Sequence, residues 1–154
     1  MKEVVVGSIP IGKGNPLVLI AGPCVIEEDS VMLGAAETIK TITDKLNIPF
    51  IFKSSYRKDN RSSAESYQGP GLEKGLKTLE KIKKTFNVPV ISDVHGVQDT
   101  AAAADVLDII QIPAYLCMQT SLTLAAARTQ KPLNVKKGQF LHAGDMQNII
   151  NKIE

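Results

Sequence analysis

Short runs of apolar, mostly β-branched residues alternate along the chain with longer stretches in which apolar residues recur every three or four positions. Each short run is continuously apolar rather than alternating, which is typical of strands buried on both faces of a parallel sheet. Pro, Asn or Gly bounds the runs, as at the ends of strands. Five runs are predicted to be strands: PLVLIA from Pro16, PFIFKSS from Pro49, VPVISDV from Val88, LDIIQIP from Leu107 and PLNVKK from Pro132.

The longer stretches are predicted to be amphipathic helices, because their apolar residues fall on one face. They span residues 29–46, 72–86, 97–105, 122–128 and 146–153. The chain is therefore interpreted as five βα units, whose connections predict right-handed crossovers in one parallel sheet. The leading VVVGSIPIGKGN predicts a small hairpin, with a turn at residues 12–15, that covers one end of the sheet.

Length and composition predict one domain, residues 1–154. The chain is 44% hydrophobic and 22% charged, which is the profile of a globular protein with one core. Five βα units allow either an open doubly wound sheet or part of a (β/α)8 barrel. In both architectures ligands bind at the carboxyl ends of the strands, where this sequence has Cys24, Lys53, Asp93, His95, Gln111, Lys136 and Lys137.

The overall charge does not predict a polyanionic partner. Lys and Arg number 18 and Asp and Glu 16, a net charge of +2, so neither nucleic acid nor an anionic membrane is expected as a partner. Two cysteines without CxxC spacing favour a reducing compartment. Pro, Gly and Lys interrupt the apolar N-terminal stretches before signal-peptide or membrane-span length, so a cytoplasmic protein is predicted.

A local cluster of positive charge follows the second run. The stretch FKSSYRKDNRSS holds Lys53, Arg57, Lys58 and Arg61. Lys53 lies in the run itself, where a charge facing the interior is costly without a counter-ion. Arg and Lys with neighbouring Ser and Asn suit a phosphate group, whereas a solvated basic loop is the simpler alternative. Lys136 at the end of the fifth run repeats this arrangement, which favours an anion site.

Polar side chains at other strand ends each admit two interpretations. AGPC predicts a sharp turn that points the Cys24 thiol across the sheet as a metal ligand or nucleophile, unless Cys24 is an inert small residue. Asp93 and His95 alternate along an extended segment and are expected on opposite faces. Asp93 either holds sugar hydroxyls or a cation, or caps a loop. Gln111 needs hydrogen-bond partners, which a ligand or a neighbouring strand can provide.

Six segments carry a family resemblance: LIAGPCVIE, FKSSYRKDNRSS, YQGPGLEKGL, ISDVHG, IIQIPAYLCMQTSL and NVKKGQF. In this order they closely resemble the 3-deoxy-D-manno-octulosonate 8-phosphate synthases over nearly the whole chain. AGPC is shared with the related 3-deoxy-D-arabino-heptulosonate 7-phosphate synthases, whereas the KDNRSS loop is specific. The resemblance implies a (β/α)8 barrel, usually a homotetramer, that condenses phosphoenolpyruvate with D-arabinose 5-phosphate and releases phosphate, for the inner-core sugar of lipopolysaccharide.

The resemblance also implies roles for individual residues. The family positions around phosphoenolpyruvate are matched by Lys53, Lys58, Gln111 and Lys136. Those that hold the aldose phosphate are matched by Asn60, Arg61, Ser62 and Asp93. The expected catalytic residues are Lys58, Asn60, Asp93 and Lys136. Cys24 matches the thiolate ligand of the metal-dependent branch, which implies a divalent metal such as Zn, Fe or Mn with its other ligands outside this sequence.

Several features depart from the family. Met118 and Ser121 in CMQTSL replace the Arg and Asp of the usual CRQTDL, whose Arg reaches a neighbouring subunit's sugar-phosphate site. His142 in LHAGDMQN lies where the usual loop is FxxPWDxxN. The sequence covers five of eight βα units, so a truncated barrel is expected. The alternatives to the synthase are an inactive or partner-dependent fragment that binds phosphorylated ligands, and the heptulosonate synthase.

Overall fold

The computed structural model describes residues 3–154. The described strands are β1 (Val4–Val6), β2 (Ile9–Ile11), β3 (Leu19–Ala21), β4 (Phe50–Lys53), β5 (Val90–Asp93), β6 (Ile109–Ile112) and β7 (Leu133–Val135). The α-helices are α1 (Asp29–Leu46), α2 (Leu72–Phe86), α3 (Thr100–Val106), α4 (Thr120–Arg128) and α5 (Met146–Ile153). Every predicted strand and helix is present, and α1, α2 and α5 begin and end at the predicted residues.

Strands β3 to β7 form one parallel sheet whose spatial order follows the sequence. A helix follows each strand, so the architecture is that of five βα units of a (β/α)8 barrel, as the resemblance predicted. The register pairs Asp93 with Gln111, and Gln111 with Asn134. These three polar residues therefore lie side by side across three neighbouring strands.

The two faces of the sheet differ in composition. The helix-covered face carries the main apolar core, which includes Phe52, Val90, Ile110 and Ile112. On the opposite, inner face, Ile51, Ile91 and Ile109 pack with Val6 of the antiparallel β1–β2 hairpin. Side chains two residues apart share a face, so Lys53, Asp93 and Gln111 follow these isoleucines on the inner face. The inner face is thus apolar where the strands begin, beneath the hairpin, and polar where they end.

Some local predictions are wrong. Gly7 and Ser8 connect the hairpin strands, with Gly7 at a φ of 59°, whereas residues 12–15 form a separate turn after β2. The helix predicted from residue 97 begins with a 3-10 turn, Val97–Asp99, before α3. Burial on both faces holds for β4, β5 and β6 but not for β3 and β7, each of which has one neighbouring strand among the described residues and is partly exposed. None of the described helices combines the length and apolarity needed to cross a membrane.

Candidate functional site

A cavity of about 470 Å³ opens at the carboxyl ends of β5, β6 and β7. The polar residues that line it include Lys58, Asn60, Asp93, His95, Lys136 and Lys137. Three lysines face two aspartates, Asp59 and Asp93, so the lining carries an excess of positive charge. Strand ends of a parallel sheet are where ligands bind in this architecture, and this cavity suits an anion.

Asp93 is the buried centre of the site. Its Oδ2 lies 3.3 Å from Lys58 Nζ and 3.5 Å from Lys53 Nζ, so one carboxylate oxygen serves two ammonium groups. The side chain of Asp93 is 5% exposed, and those of Lys53 and Lys58 are 17% and 13% exposed. The counter-ion that Lys53 needs inside the sheet is therefore Asp93. Two cations held on one anion leave a net positive charge beside the cavity, whose lining includes Lys58 and Asp93 but not Lys53.

The ionisation of these groups follows from burial and from their neighbours. Burial opposes the charge on Asp93, but Lys53, the hydrogen bonds from Ser55 and Gln111, and Lys58 outweigh it and lower its pKa to about 2. Burial also lowers the pKa of Lys53, against the attraction of Asp93, and Lys58 lowers it further. Asp93 is therefore ionised at neutral pH, and a bound anion would favour the charged form of Lys53.

A row of neutral polar side chains flanks Asp93 on both sides. Ser55 donates from Oγ to Asp93 Oδ2 at 2.5 Å and accepts from Lys53 Nζ at 2.9 Å. Gln111 donates from Nε2 to Asp93 Oδ1 at 2.5 Å, and Asn134 donates from Nδ2 to Gln111 Oε1 at 2.8 Å. Ser55 and Asn134 were not predicted as site residues. Their signal was a polar residue on the inner face of a buried run, the same signal that identified Gln111.

The basic loop after β4 contributes only part of its charge to the cavity. Lys58 and Asn60 line it, whereas Arg57 pairs with Asp59 at 2.9 Å with both side chains about half exposed. Arg61 and Ser62 are exposed and lie outside the lining. Their binding of an aldose phosphate stays a prediction. For Arg57 the alternative of a solvated basic loop is therefore the better one, since an exposed ion pair contributes little to stability.

His95 faces the same cavity as Asp93, so the expectation of opposite faces is wrong. Side chains two residues apart in an extended segment share a face, so strand alternation itself predicts the same side for Asp93 and His95, although β5 ends at Asp93. The buried Tyr56 hydroxyl donates to Asp99 Oδ2 at 3.0 Å and accepts from the His95 N–H at 3.4 Å. Burial lowers the pKa of His95, against the attraction of Asp93, and its Nδ1 has no hydrogen-bond partner among residues 3–154.

Cys24 lies apart from the cavity lining. The backbone at Gly22 runs so close to β4 that a Cβ there would collide with the Lys53 carbonyl oxygen, which explains the glycine of AGPC. The Cys24 side chain is exposed. Within the described part of the chain, no three His, Cys, Asp or Glu residues cluster as metal ligands, so these residues alone do not form a metal site.

The residues that depart from the family motifs lie outside the cavity lining. Met118 is 47% exposed just before α4, and Ser121 is exposed in its first turn. The exposed His142 stands at the start of the short 3-10 turn before α5, where its backbone N–H donates to Asp145 Oδ2 at 2.9 Å. His142 therefore marks the start of this helical segment.

Comparison with known proteins identifies the family. Residues 2–154 match the model of the DAHP synthetase I family. Proteins named 2-dehydro-3-deoxyphosphooctonate aldolase from Trichlorobacter lovleyi and Geobacter sulfurreducens are 52% and 49% identical over 152 residues, 99% of this chain. The protein of that name from Protochlamydia amoebophila is 52% identical over 154 residues. The chain spans 56% of the length of each of these relatives. It belongs to the DAHP synthetase I family, and within that family it is similar to the 2-dehydro-3-deoxyphosphooctonate aldolases.

Proposed function

We propose that the protein takes part in the condensation of phosphoenolpyruvate with D-arabinose 5-phosphate, which gives 3-deoxy-D-manno-octulosonate 8-phosphate and inorganic phosphate. The product belongs to the synthesis of the lipopolysaccharide core. The relatives that cover the whole chain carry the name 2-dehydro-3-deoxyphosphooctonate aldolase, and they do not favour the heptulosonate synthase alternative. The chain spans 56% of the length of those relatives, so their names do not establish that this chain is active alone. Its activity alone is therefore part of the proposal.

The observation that carries the proposal is the buried Asp93 shared by Lys53 and Lys58. Two largely buried ammonium groups within 3.5 Å of one carboxylate oxygen are suited to attract an anion. Lys136 and Lys137 add charge on the cavity wall. Phosphoenolpyruvate carries a phosphate and a carboxylate, so several separated cations suit it better than a single one.

Positioning and charge neutralisation are the chemistry that these residues supply. In the proposed reaction, C3 of phosphoenolpyruvate attacks the aldehyde carbon, water adds at C2, and phosphate leaves with cleavage of the C–O bond. The two substrates repel each other, and lysines fixed before binding offset that repulsion without reorganisation. Asp93, with a pKa of about 2, holds these lysines rather than exchanging protons at neutral pH.

His95 offers the cavity a free polar atom. Its Nδ1 is buried and has no hydrogen-bond partner among residues 3–154, and its backbone N–H donates to the Tyr56 hydroxyl. A lowered pKa keeps the imidazole neutral around pH 7, so a ligand can accept from it or donate to it without a charge change. We assign His95 as an additional ligand-binding residue of this cavity.

A divalent metal bound through Cys24 is part of the proposal, with its remaining ligands from outside residues 3–154. When bound, such a metal would orient substrate and water. Metal analysis of the purified protein and of Cys24→Ser tests this directly. We expect bound metal that the substitution removes, and equal metal content in both proteins would contradict the role of Cys24.

The decisive experiment is phosphate release from phosphoenolpyruvate plus D-arabinose 5-phosphate, with added divalent metal and with a chelator. We expect release that depends on both substrates and that falls at least about tenfold in Lys58→Met, since a charged hydrogen bond contributes about 1.5–3 kcal/mol. Lys77→Met is the matched control, because Lys77 lies on the exposed face of α2.

Each other outcome identifies an alternative. Calorimetric binding of phosphoenolpyruvate without phosphate release from folded protein would support the fragment that only binds phosphorylated ligands. Release with D-erythrose 4-phosphate in place of the pentose would support the heptulosonate synthase. Absence of both binding and release would overturn the proposal. We also propose a cytoplasmic homotetramer, which sedimentation analysis and cell fractionation would test.

A further inference from the structure

We propose that Asn134 is a positioning residue, which sets the direction of the hydrogen-bond row Asn134–Gln111–Asp93 and so keeps Asp93 turned toward the two lysines. This inference rests on the proposed function only where it concerns ligand affinity. The row itself is a property of the ligand-free protein.

The direction of the row follows from the charge of Asp93. A carboxylate is only an acceptor, and Asp93 is ionised at neutral pH, so Gln111 must present its Nε2 donor to Asp93 Oδ1. The Gln111 Oε1 acceptor then faces the opposite way, toward β7. Asn134 meets it there with a donor, Nδ2, at 2.8 Å. Each amide in the row is therefore oriented by its neighbour.

The sheet places the three side chains so that no other orientation satisfies them. Asp93, Gln111 and Asn134 are paired in register on β5, β6 and β7. Gln111 is 5% exposed, so water cannot readily replace a lost partner. With an acceptor at position 134, Gln111 would turn over, and its oxygen would face the Asp93 carboxylate.

The orientation of Asp93 sets the positions of the two lysines. With Oδ1 of Asp93 engaged by Gln111, Oδ2 alone accepts from Ser55 and holds Lys53 and Lys58. A carboxylate that rotates away from Gln111 would move both ammonium groups from their present positions. Asn134 thus acts on the cavity through Gln111 and Asp93, without a bond of its own to either lysine.

The first test needs no ligand. In the purified full chain, NMR of the Gln111 side-chain amide should show a proton that exchanges slowly with solvent. Asn134→Asp and the nearly isosteric Asn134→Leu should speed this exchange at least about fivefold, on the scale of one lost hydrogen bond. Asn148→Asp, on the exposed side of α5, is the control for an added charge. Unchanged exchange in both variants at position 134 would overturn the inference.

The second test is a double-mutant cycle on the affinity for phosphoenolpyruvate, measured by calorimetry. Asn134→Leu should weaken binding about fivefold to tenfold in the natural background, and less than about twofold in the background of Gln111→Leu. An equal loss in both backgrounds would show that Asn134 does not act through Gln111. Should Asn134→Leu fail to fold, as judged by circular dichroism, Asn134→Ser replaces it.

The two proposals fail in different ways. In one outcome the natural protein fails to bind phosphoenolpyruvate while the Asn134 substitutions still speed exchange of the Gln111 amide. That result contradicts the proposed function but supports the positioning role of Asn134. A protein that binds phosphoenolpyruvate with equal affinity in the Asn134 variants contradicts the positioning role alone.

Discussion

Replacing Asp93 by Asn tests whether one buried carboxylate holds the site together. Asn has nearly the same shape but no charge, so the substitution mimics a protonated Asp93. The pKa of Asp93 lies at about 2 against an ordinary value of 3.8. Each unit of that shift corresponds to about 1.4 kcal/mol of preference for the charged form, so Asp93→Asn should lower the free energy of unfolding by about 2 kcal/mol at pH 7.

The sign of the pH dependence is fixed by the lowered pKa. The stabilisation by charged Asp93 is fully present above the unfolded pKa near 4, and it is lost as the pH falls through about 2. Urea unfolding of both proteins at pH 7, 4 and 3 should therefore show a difference in stability that begins to close below pH 4. Asp44→Asn is the control: Asp44 pairs with Lys40 on the surface of α1 and is 62% exposed, so its loss should cost less than about 0.5 kcal/mol.

Two results would refute this reasoning. Equal stability of Asp93→Asn and the natural protein at pH 7 would mean that the lysines do not depend on Asp93. A stability difference that stayed constant from pH 7 to pH 3 would mean that the loss comes from packing and not from charge.

Other predictions follow from the same structure. The affinity for phosphoenolpyruvate should be measured by calorimetry from neutral to alkaline pH, and it should begin to decrease at a pH lower than the ordinary lysine pKa. The reason is that the pKa of Lys53 is lowered and the neutral amine holds an anion poorly. An affinity that stays constant up to the ordinary lysine pKa would contradict this prediction. Tyr56→Phe removes a buried hydroxyl with two hydrogen bonds and should cost about 1–3 kcal/mol in urea unfolding, whereas the exposed Tyr115→Phe should cost almost nothing. Gly22→Ala should destabilise the protein by more than about 2 kcal/mol, because the added Cβ meets the Lys53 carbonyl. Gly34→Ala, whose Cβ would lie in open space on α1, should stabilise the protein by up to about 1 kcal/mol. Equal melting temperatures of the two variants would contradict this prediction.

Much of the fold could be predicted because hydrophobic periodicity and strand ends are local signals. Helices α1 and α2 were predicted to the residue, because their apolar residues recur every three or four positions up to the last turn. In the structure each helix ends before an Asn with a left-handed backbone, Asn47 after α1 and Asn87 after α2. The hairpin turn was misplaced because two Gly-containing segments compete, and only the pairing of β1 with β2 identifies Gly7 as the turn.

The candidate site was predictable in its residue types but not in its connections. Lys53, Asp93 and Gln111 are polar residues at the ends of apolar runs, and the structure brings them together. The sequence does not contain the inter-strand register, so it could not show that Asn134 lies beside Gln111. His95 was assigned to the wrong face because residues two apart in an extended segment were taken to point to opposite faces, whereas the strand period of two places them on the same face.

The sequential order of β3 to β7 bears on how the protein acquires its structure during synthesis. Every strand of this sheet pairs only with the strands before and after it in the chain, so a newly made βα unit finds its docking edge already present. Chain growth from the ribosome delivers the units in the order in which they pair. Hydrogen exchange on ribosome-bound chains stalled at increasing lengths should therefore show protection of β4 before that of β6. The polar row would then be completed from Asp93 outward, with Asn134 the last of its members to arrive.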